Sequence, residues 1–278
     1  SRHVRDKRPL KVKLVGGTNF TPSITRITGG FMRWNFGDGT VEPNDNAFVK
    51  SYPDNNIYDV VCTLRYMDKI LSVVIPNDDL IEVDLSSCRN IGGTTTGQIS
   101  LENNSNLTTV IFPEEHIATG VINTIDLESC NLTGDVDLGG LKRVIGGLVL
   151  RGNNSMTNFT INNTLEGGPL SFTQLHQCAS VQVIDLQNAV NLTGGIQWRN
   201  NTSLTAILFP NTTGSSLGNM TSMSGQQCPS ITTLALGNFE QTGGTFNVYQ
   251  CSNLSVIVFP ASPTNTMGDF RMESNDLL

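Results

Sequence analysis

One motif recurs eight times from Asn77 to the end of the chain, at intervals of 23 to 27 residues. Each copy starts with Asn or Cys and places apolar residues three, six and eight positions later, with Thr133 as the one departure. A single unit is too small to bury an apolar side alone, whereas stacked units enclose a continuous core. The repeat therefore predicts a solenoid of about eight turns. We call its first position the spine, which consists of Asn77, Asn104, Cys130, Asn153, Cys178, Asn201, Cys228 and Cys251.

The composition favours strands over helices. Only 15% of the residues are charged, and the chain has 27 glycines, a balance that suits β-structure with many turns. Alternate turns differ, because Phe112, Ile161, Phe209 and Phe259 recur at intervals of 48 to 50 residues and define four double units. A buried Asn can satisfy backbone groups where the chain bends, and a buried Cys fills the same slot as a small apolar residue with a weak donor. We expect an all-β fold.

Residues 1–76 follow a different pattern and are predicted to form a separate domain from residues 77–278. Short runs at 11–15 and 31–36 are typical of strands, and residues 58–66 alternate between apolar and polar side chains. The Gly-Asp-Gly sequence at 37–39 indicates a tight turn, since glycine adopts positive φ without strain. This pattern predicts a small β-sandwich with one buried face on each strand.

The segment Trp34–Thr40 reads W-N-F-G-D-G-T and is followed by Tyr52 and by Tyr58-Asp59-Val60. It resembles the PKD-type immunoglobulin-like domain, except that Lys50-Ser51-Tyr52 stands where that family has His-x-Tyr. The resemblance implies an Ig-like sandwich that acts as a spacer or binding module without catalysis. The Asp of the turn, Asp38, can be interpreted as a calcium ligand, although an Asp between two glycines is more often there for the turn itself.

The last repeat, over 251–260 and 267–270, reads C-S-N-L-S-V-I-V-F-P followed by M-G-D-F. It is similar to the BspA-like subclass of leucine-rich repeats, which implies binding of proteins or sugars at a cell surface. The combination of both resemblances is similar to bacterial surface proteins and to phage virion proteins. Ser274-Asn-Asp-Leu-Leu resembles a ninth turn, from which we expect either a longer native polypeptide or docking of this end onto another molecule.

Several function classes are disfavoured by the sequence. The net charge is −7 and the basic residues cluster only within 1–8, so we expect no nucleic-acid binding. No apolar run reaches the length of a membrane helix, and we expect no membrane insertion. The histidines show no ligand spacing, no C-x-x-C occurs, and the G-x-S-x-G match at 214–218 lies in a Gly/Ser/Thr loop. Asp135 and Asp137 are interpreted as surface carboxylates. We therefore predict that the chain is not an enzyme and that it needs no cofactor or metal.

Cysteine spacing argues against disulfides. Cys130, Cys178 and Cys228 lie two turns apart in the predicted solenoid, about 9–10 Å, which is too far for a bridge. Cys228 and Cys251 lie in adjacent turns, about 5 Å apart, and are the one pair on the spine close enough to bridge. Cys62 is expected to face the core of the first domain. Buried free thiols are the favoured interpretation.

Residues between the buried positions of each repeat are predicted to point outward. They are acidic and polar in the early turns and apolar in the late ones, and a contiguous exposed apolar patch marks a contact surface. Strand preference of β-branched residues and cover by a loop of the same chain remain alternatives. The predicted contact face consists of Val183, Asp185, Ala206, Leu208, Thr233, Ala235, Val256 and Val258.

Three functions remain open from the sequence. The first is a non-enzymatic adhesion or binding module, extracellular or on a bacterial surface, that recognises a protein or glycan. The second is a structural or host-binding component of a phage virion that contacts neighbouring subunits. A hydrolase with a loop site is a distant third, because no His/Asp/Ser constellation supports it.

Overall fold

The computed structural model describes residues 9–26, 32–43, 47–64, 70–93, 97–116, 121–161, 170–189, 192–210, 220–236, 242–259 and 269–275. Throughout these ranges the chain is all-β, with no helix, and most of it is a β-solenoid of about six turns. Consequently the described residues contain no helix of the length and apolarity needed to cross a membrane.

Short antiparallel strands make up the N-terminal region. Strand β1 pairs with β7, β4 lies between β5 and β7, and β2 pairs with β6. Each of the predicted runs at 11–15, 31–36 and 58–66 contains a strand within its described residues. The strands are β1 (Leu10–Val15), β2 (Asn19–Phe20), β3 (Ser23–Arg26), β4 (Met32–Asn35), β5 (Val41–Pro43), β6 (Lys50–Ser51) and β7 (Ile57–Leu64).

Aromatic side chains fill the core of this region. Trp34 is fully buried and meets the ring of Phe20 edge-on at 5.9 Å and that of Phe48 at 5.1 Å. Edge-to-face packing at these separations adds to the hydrophobic gain of burial. Tyr52 is also buried, and its hydroxyl donates a 3.1 Å hydrogen bond to the carbonyl of Phe36. Cys62 is completely buried, as expected.

The solenoid has one long sheet in which parallel strands from successive turns lie side by side. Each strand pairs with the strand from the preceding and the following turn. We call it the long sheet. Its parallel strands are β8 (Ile70–Val74), β10 (Gly97–Ser100), β12 (Ile122–Asp126), β14 (Val144–Val149), β16 (Leu170–Gln174), β18 (Leu192–Arg199), β20 (Met220–Gln226), β22 (Thr242–Tyr249) and β24 (Phe270–Glu273).

A second set of shorter parallel strands forms the opposite side, which we call the second sheet. Its pairing is interrupted between β11 and β13 and between β19 and β21, so fewer turns are fully paired than the sequence repeat counts. The number of eight turns remains a prediction. The strands are β9 (Leu80–Asp84), β11 (Thr109–Ile111), β13 (Gly134–Asp137), β15 (Met156–Thr160), β17 (Val183–Asp185), β19 (Ala206–Leu208), β21 (Thr233–Ala235) and β23 (Val256–Val258).

Both sheets run across the predicted boundary at residues 76 and 77. Strand β1 pairs antiparallel with β9 of the second sheet, and β3 pairs antiparallel with β8 of the long sheet. The N-terminal strands thereby cover the first edge of each solenoid sheet, and an edge covered in this way cannot pair with another chain. The division into two domains stays a prediction. In the structure, backbone hydrogen bonding is continuous across the predicted boundary.

Polar groups at the bends are satisfied by the spine. The Asn153 amide donates to the carbonyls of Leu127 in the preceding turn (2.8 Å) and Leu150 (2.9 Å), and its oxygen accepts from the backbone N–H of Leu132 at 3.1 Å. Asn104 and Asn201 are fully buried and bond in the same manner. Since an unpaired buried backbone group is costly, these amides hold adjacent turns together.

Cysteine fills the same slot with a weaker version of this contact. Cys130 and Cys178 each direct Sγ at a carbonyl oxygen of the preceding turn, that of Leu101 and that of Leu150, at 3.1 Å in both cases. Cys228 does the same toward Trp198 at 3.5 Å. The structure places these three cysteines in one buried column.

The first spine position requires a correction. Asn77 is exposed and has a φ of 58°, whereas the next residue, Asp78, is 3% exposed and occupies the buried slot. The residue before the slot has positive φ in the other turns too, for example Asn103 and Ser129. The first turn lacks a preceding turn to accept hydrogen bonds. Asp78 instead accepts bonds from the backbone N–H and the hydroxyl of Thr21, at 2.8 and 2.9 Å.

Candidate functional site

The outer surface of the second sheet carries the predicted contact face. Strand pairing sets Val183 beside Ala206 and Asp185 beside Leu208, and further along it sets Val256 beside Thr233. Ala235 and Val258 form the corresponding second pair. All eight residues therefore lie in two outward rows, as the alternation of the repeat requires.

Exposure increases along this face towards the last turns. Val183, Asp185 and Ala206 are half-buried, whereas Leu208 is 36% exposed and Val256 and Val258 are 45% and 49% exposed. Thr233 and Ala235 are also exposed. The late end of the sheet thus presents branched aliphatic side chains to solvent without a charged residue in β19, β21 or β23.

Phe259 adds to the exposed apolar surface and was expected to lie inside. The equivalent residues Phe112, Ile161 and Phe209 are buried, but Phe259 is 46% exposed and touches the ring of Phe270 at 5.7 Å. Phe259 directly follows β23, the last described strand of the second sheet, so no further strand in the described residues stacks on it. The repeat pattern alone could not separate this end position from the interior ones.

Charged residues occupy the early end of the same face. Glu82 and Asp84 lie beside Lys13 and Lys11 of β1, with nitrogen–oxygen distances of 3.9 and 3.6 Å. The antiparallel register of β1 on β9 produces these pairs. The second sheet therefore changes from a paired, charged surface to an unpaired apolar one along the solenoid.

A groove of about 490 Å³ opens where β11 and β13 are not paired. It is lined by hydroxyl and carboxylate groups together with the exposed Ile111. Asp135 accepts hydrogen bonds from Thr157 and Asn158 at 3.0 and 2.6 Å, and Asp137 accepts one from the backbone of Gly139. Within the described residues no group of three or more His, Cys, Asp or Glu side chains is placed to hold a metal.

The groove coincides with the irregular copy of the repeat. Leu132, two positions after the spine, is fully buried in place of Thr133, and Gly134 adopts a φ of 69°. The register of β13 against β15 shifts at the same place, between Gly134 and Asp135. Thr133 was the signal in the sequence, but its consequence for strand pairing depends on the geometry of the bend.

All six cysteines are free and buried, in agreement with the expectation of unbridged thiols. Burial raises the pKa of Cys130 to about 12 and that of Cys178 to about 11, so both stay protonated and unreactive near neutral pH. Cys228 and Cys251 are neighbours, and the contact between their thiols raises the pKa of Cys228 and lowers that of Cys251.

Asp38 is engaged by the protein itself. Its carboxylate accepts from the backbone N–H of Thr40 at 2.9 Å and lies 2.6 Å from the ammonium nitrogen of Lys50. Burial alone would raise the pKa of Asp38, but the hydrogen bonds from Lys50 and Thr40 outweigh it and lower the pKa to about 2. These contacts match the turn interpretation of Asp38. The basic residues within 1–8 and the G-x-S-x-G match at 214–218 lie outside the described residues.

Comparison with known proteins adds no relative to this description. No protein family, no curated protein and no solved structure matches the chain significantly.

Proposed function

We propose that this chain is a non-enzymatic binding module that docks a protein partner on the late end of the second sheet. The observation that carries the proposal is the exposure of Leu208, Val256, Val258 and Phe259, which is between 36% and 49% for each side chain. Exposed apolar groups on the same face of successive turns favour contact with another surface. A protein suits this face better than a glycan, because aliphatic side chains offer no hydrogen bonds to sugar hydroxyls.

The finer features of the sequence interpretation belong to the same proposal. We infer that the N-terminal strands form a PKD-like, Ig-type sandwich and that eight coils of the BspA-like class follow it. The charged pairs at the early end of the second sheet, Lys13 with Glu82 and Lys11 with Asp84, distinguish that end from the apolar late end where the partner is proposed to dock. The proposed location is extracellular or at a bacterial surface. A structural or host-binding part of a phage virion is the alternative, in which the partner is another subunit.

A pair of matched variants tests the proposal. Val258→Asp places a charge in the late patch, whereas Ile111→Asp places one on an early strand of the same sheet at similar exposure, 41% against 49%. Partners captured from cell-surface extracts are purified, and their affinities for the wild type and both variants are measured. We expect binding to be weakened at least tenfold by Val258→Asp, the equivalent of about 1.4 kcal/mol, and to be unchanged by Ile111→Asp.

Analytical ultracentrifugation of the same three proteins separates the alternatives. A self-associating wild type that Val258→Asp converts to a monomer favours the subunit contact of the virion alternative. A monomeric wild type whose purified partner ignores both substitutions contradicts the contact face altogether.

A further inference from the structure

A column of polar side chains follows the carboxyl ends of the long-sheet strands, on the side of the solenoid away from the contact face. Arg151, His176 and Arg199 are successive members of this column, one from each of three adjacent turns. The backbone bonds Gly152 N–H to His176 O (3.1 Å) and Gln177 N–H to Arg199 O (2.8 Å) fix the three in register. Neighbouring turns are about 4.8 Å apart, so these side chains are direct neighbours.

The charges of this column are only partly compensated. Arg151 forms an ion pair with Glu128 of the preceding turn. Arg199 has no carboxylate partner among the described residues, and its one side-chain hydrogen bond there runs from Nη2 to the hydroxyl of Ser224 at 3.3 Å. Within the described part of the chain a positive charge therefore stays unpaired, although the net charge of the whole sequence is −7.

Two polar atoms of the column lack a partner in the described structure. Nε of Arg199 and Nδ1 of His176 are both buried without a hydrogen bond, which is a costly arrangement. Burial together with the charges of Arg151 and Arg199 lowers the pKa of His176. Turning the Arg199 guanidinium towards a ligand oxygen gives up its 3.3 Å bond to Ser224 and pairs Nε, and His176 Nδ1 gains a partner in the same way.

Amide and hydroxyl groups run beside the charged column. Gln174 pairs with Gln197 and Gln197 pairs with Ser224 in the parallel register of the long sheet. Both glutamines are half-buried and lie two residues before the charged column on the same outward face. They supply donors and acceptors at a constant step along the solenoid axis.

We propose that these six side chains, Arg151, His176, Arg199, Gln174, Gln197 and Ser224, bind an acidic polysaccharide that lies along the long sheet. The guanidinium of Arg199 receives a carboxylate or sulfate group, a pairing for which its planar donors are suited. The glutamine row bonds to sugar hydroxyls. A short stretch of a linear polymer fits because these groups come from adjacent turns on one sheet face, between Glu128 and Glu273, acidic members of the same column.

Affinity electrophoresis of the full chain measures this directly. The protein migrates through native gels that contain polygalacturonate, dextran sulfate, neutral dextran or polyglutamate. We expect retardation by polygalacturonate when the anchored group is a carboxylate and by dextran sulfate when it is a sulfate, with none by neutral dextran. Retardation by neither acidic polysaccharide overturns the proposal, and so does equal retardation by polyglutamate, which would identify an acidic-peptide site.

Variants locate the site. Arg199→Gln is expected to weaken retardation about tenfold or more, since it removes a charge-assisted bond, and Arg199→Lys less, since it keeps the charge. Gln197→Ala is expected to weaken it by a smaller factor. Arg89→Gln is the control, because Arg89 is paired with Glu115 at a different bend. Equal losses in the Arg199 and Arg89 variants would show general attraction of polyanions and refute the site.

The result is separable from the protein-docking proposal. Val258→Asp alters the second sheet only and is expected to leave the retardation unchanged. Thermal unfolding of each variant verifies that the fold is intact, and Arg199→Lys keeps the test valid should Arg199→Gln unfold.

Discussion

The N-terminal region and the solenoid solve the same problem, pairing of buried polar groups, in different ways. In the N-terminal region each solution occurs once, as in the bond from Tyr52 to Phe36 and the bonds from Thr21 to Asp78. In the solenoid one slot recurs at every bend and accepts either Asn or Cys. The contacts of the N-terminal region require particular residues, whereas those of the solenoid require only one repeated position that either Asn or Cys can fill. Asp78 combines both arrangements. It occupies the first spine slot but accepts its hydrogen bonds from Thr21 of the N-terminal region.

Removing the central aromatic ring of the N-terminal core is expected to have the largest effect. Trp34→Ala should lower the free energy of unfolding by about 3–5 kcal/mol, since it empties a fully buried site. The chain has two tryptophans, so Trp198 alone then reports on the solenoid by fluorescence. Because β1 and β3 pair with solenoid strands, we expect the Trp198 transition to shift to lower denaturant.

Trp198→Phe is the matched control, in which Trp34 alone reports on the N-terminal region. Coincident midpoints for both probes indicate one cooperative unit. A Trp198 midpoint that Trp34→Ala leaves in place would show that the two regions unfold independently, and the continuity of the sheets would then carry no energetic coupling.

Substitutions of Asn and of Cys on the spine are expected to lower the free energy of unfolding by different amounts, and they come second in size. Asn153→Ala leaves the carbonyl of Leu127 and the N–H of Leu132 without a partner and leaves the carbonyl of Leu150 with only the weak thiol donor of Cys178. The loss should cost about 3 kcal/mol in the free energy of unfolding. Cys178→Ala removes a weak thiol donor and one sulfur atom and should cost about 1 kcal/mol. Urea unfolding of both variants measures the difference. Equal losses would mean that the slot is filled for packing alone.

Much of this architecture could be predicted from the sequence because the repeat constrains every turn alike. The strands of the second sheet, the buried thiols and the outward rows at Val256 and Val258 all follow from spacing, whereas the strands of the long sheet were not predicted. The first spine position could not be predicted, since Asn77 and Asp78 fit the local pattern equally and only the hydrogen bonds from Thr21 select Asp78.

Features that depend on neighbouring turns were also missed. The groove lies where β11 and β13 of consecutive turns are not paired, and the column of Arg151, His176 and Arg199 requires three turns in register. Residues at these positions share no motif along the chain. Each turn contributes one member, so the group exists only after the turns are stacked.

Removal of one buried hydroxyl from the long sheet is expected to stabilise the fold rather than to destabilise it. Thr173 is 1% exposed, lies between Leu148 and Ile196 in the inward row, and its Oγ1 has no hydrogen-bond partner. Thr173→Val replaces the hydroxyl by a methyl group of similar size and should raise the free energy of unfolding by about 1 kcal/mol. Thr124→Val on the outward face should change it by less than about 0.5 kcal/mol. A destabilised Thr173→Val would imply a partner for this hydroxyl.

The smallest expected effect concerns the ion pair between Asp38 and Lys50 in the N-terminal region. The pKa of Asp38 is lowered to about 2, against about 3.9 in an unfolded chain. Its stabilisation is therefore complete above pH 4 and is lost as the pH falls from about 4 to about 2. Because the Asp38–Lys50 pair is partly exposed, we expect Asp38→Asn to cost only about 1 kcal/mol at pH 7.

The same substitution should cost almost nothing at pH 2, where the wild-type carboxyl is itself becoming neutral. Urea unfolding of wild type and Asp38→Asn at both pH values gives the comparison, with Lys13→Met as a control at a more exposed and longer pair. Asp78 titrates with the opposite sign, because its burial raises the pKa and its charged form weakens the fold as the pH rises. A cost of Asp38→Asn that is equal at pH 7 and pH 2 would show that the turn geometry, and not the charge held by Lys50, gives Asp38 its role.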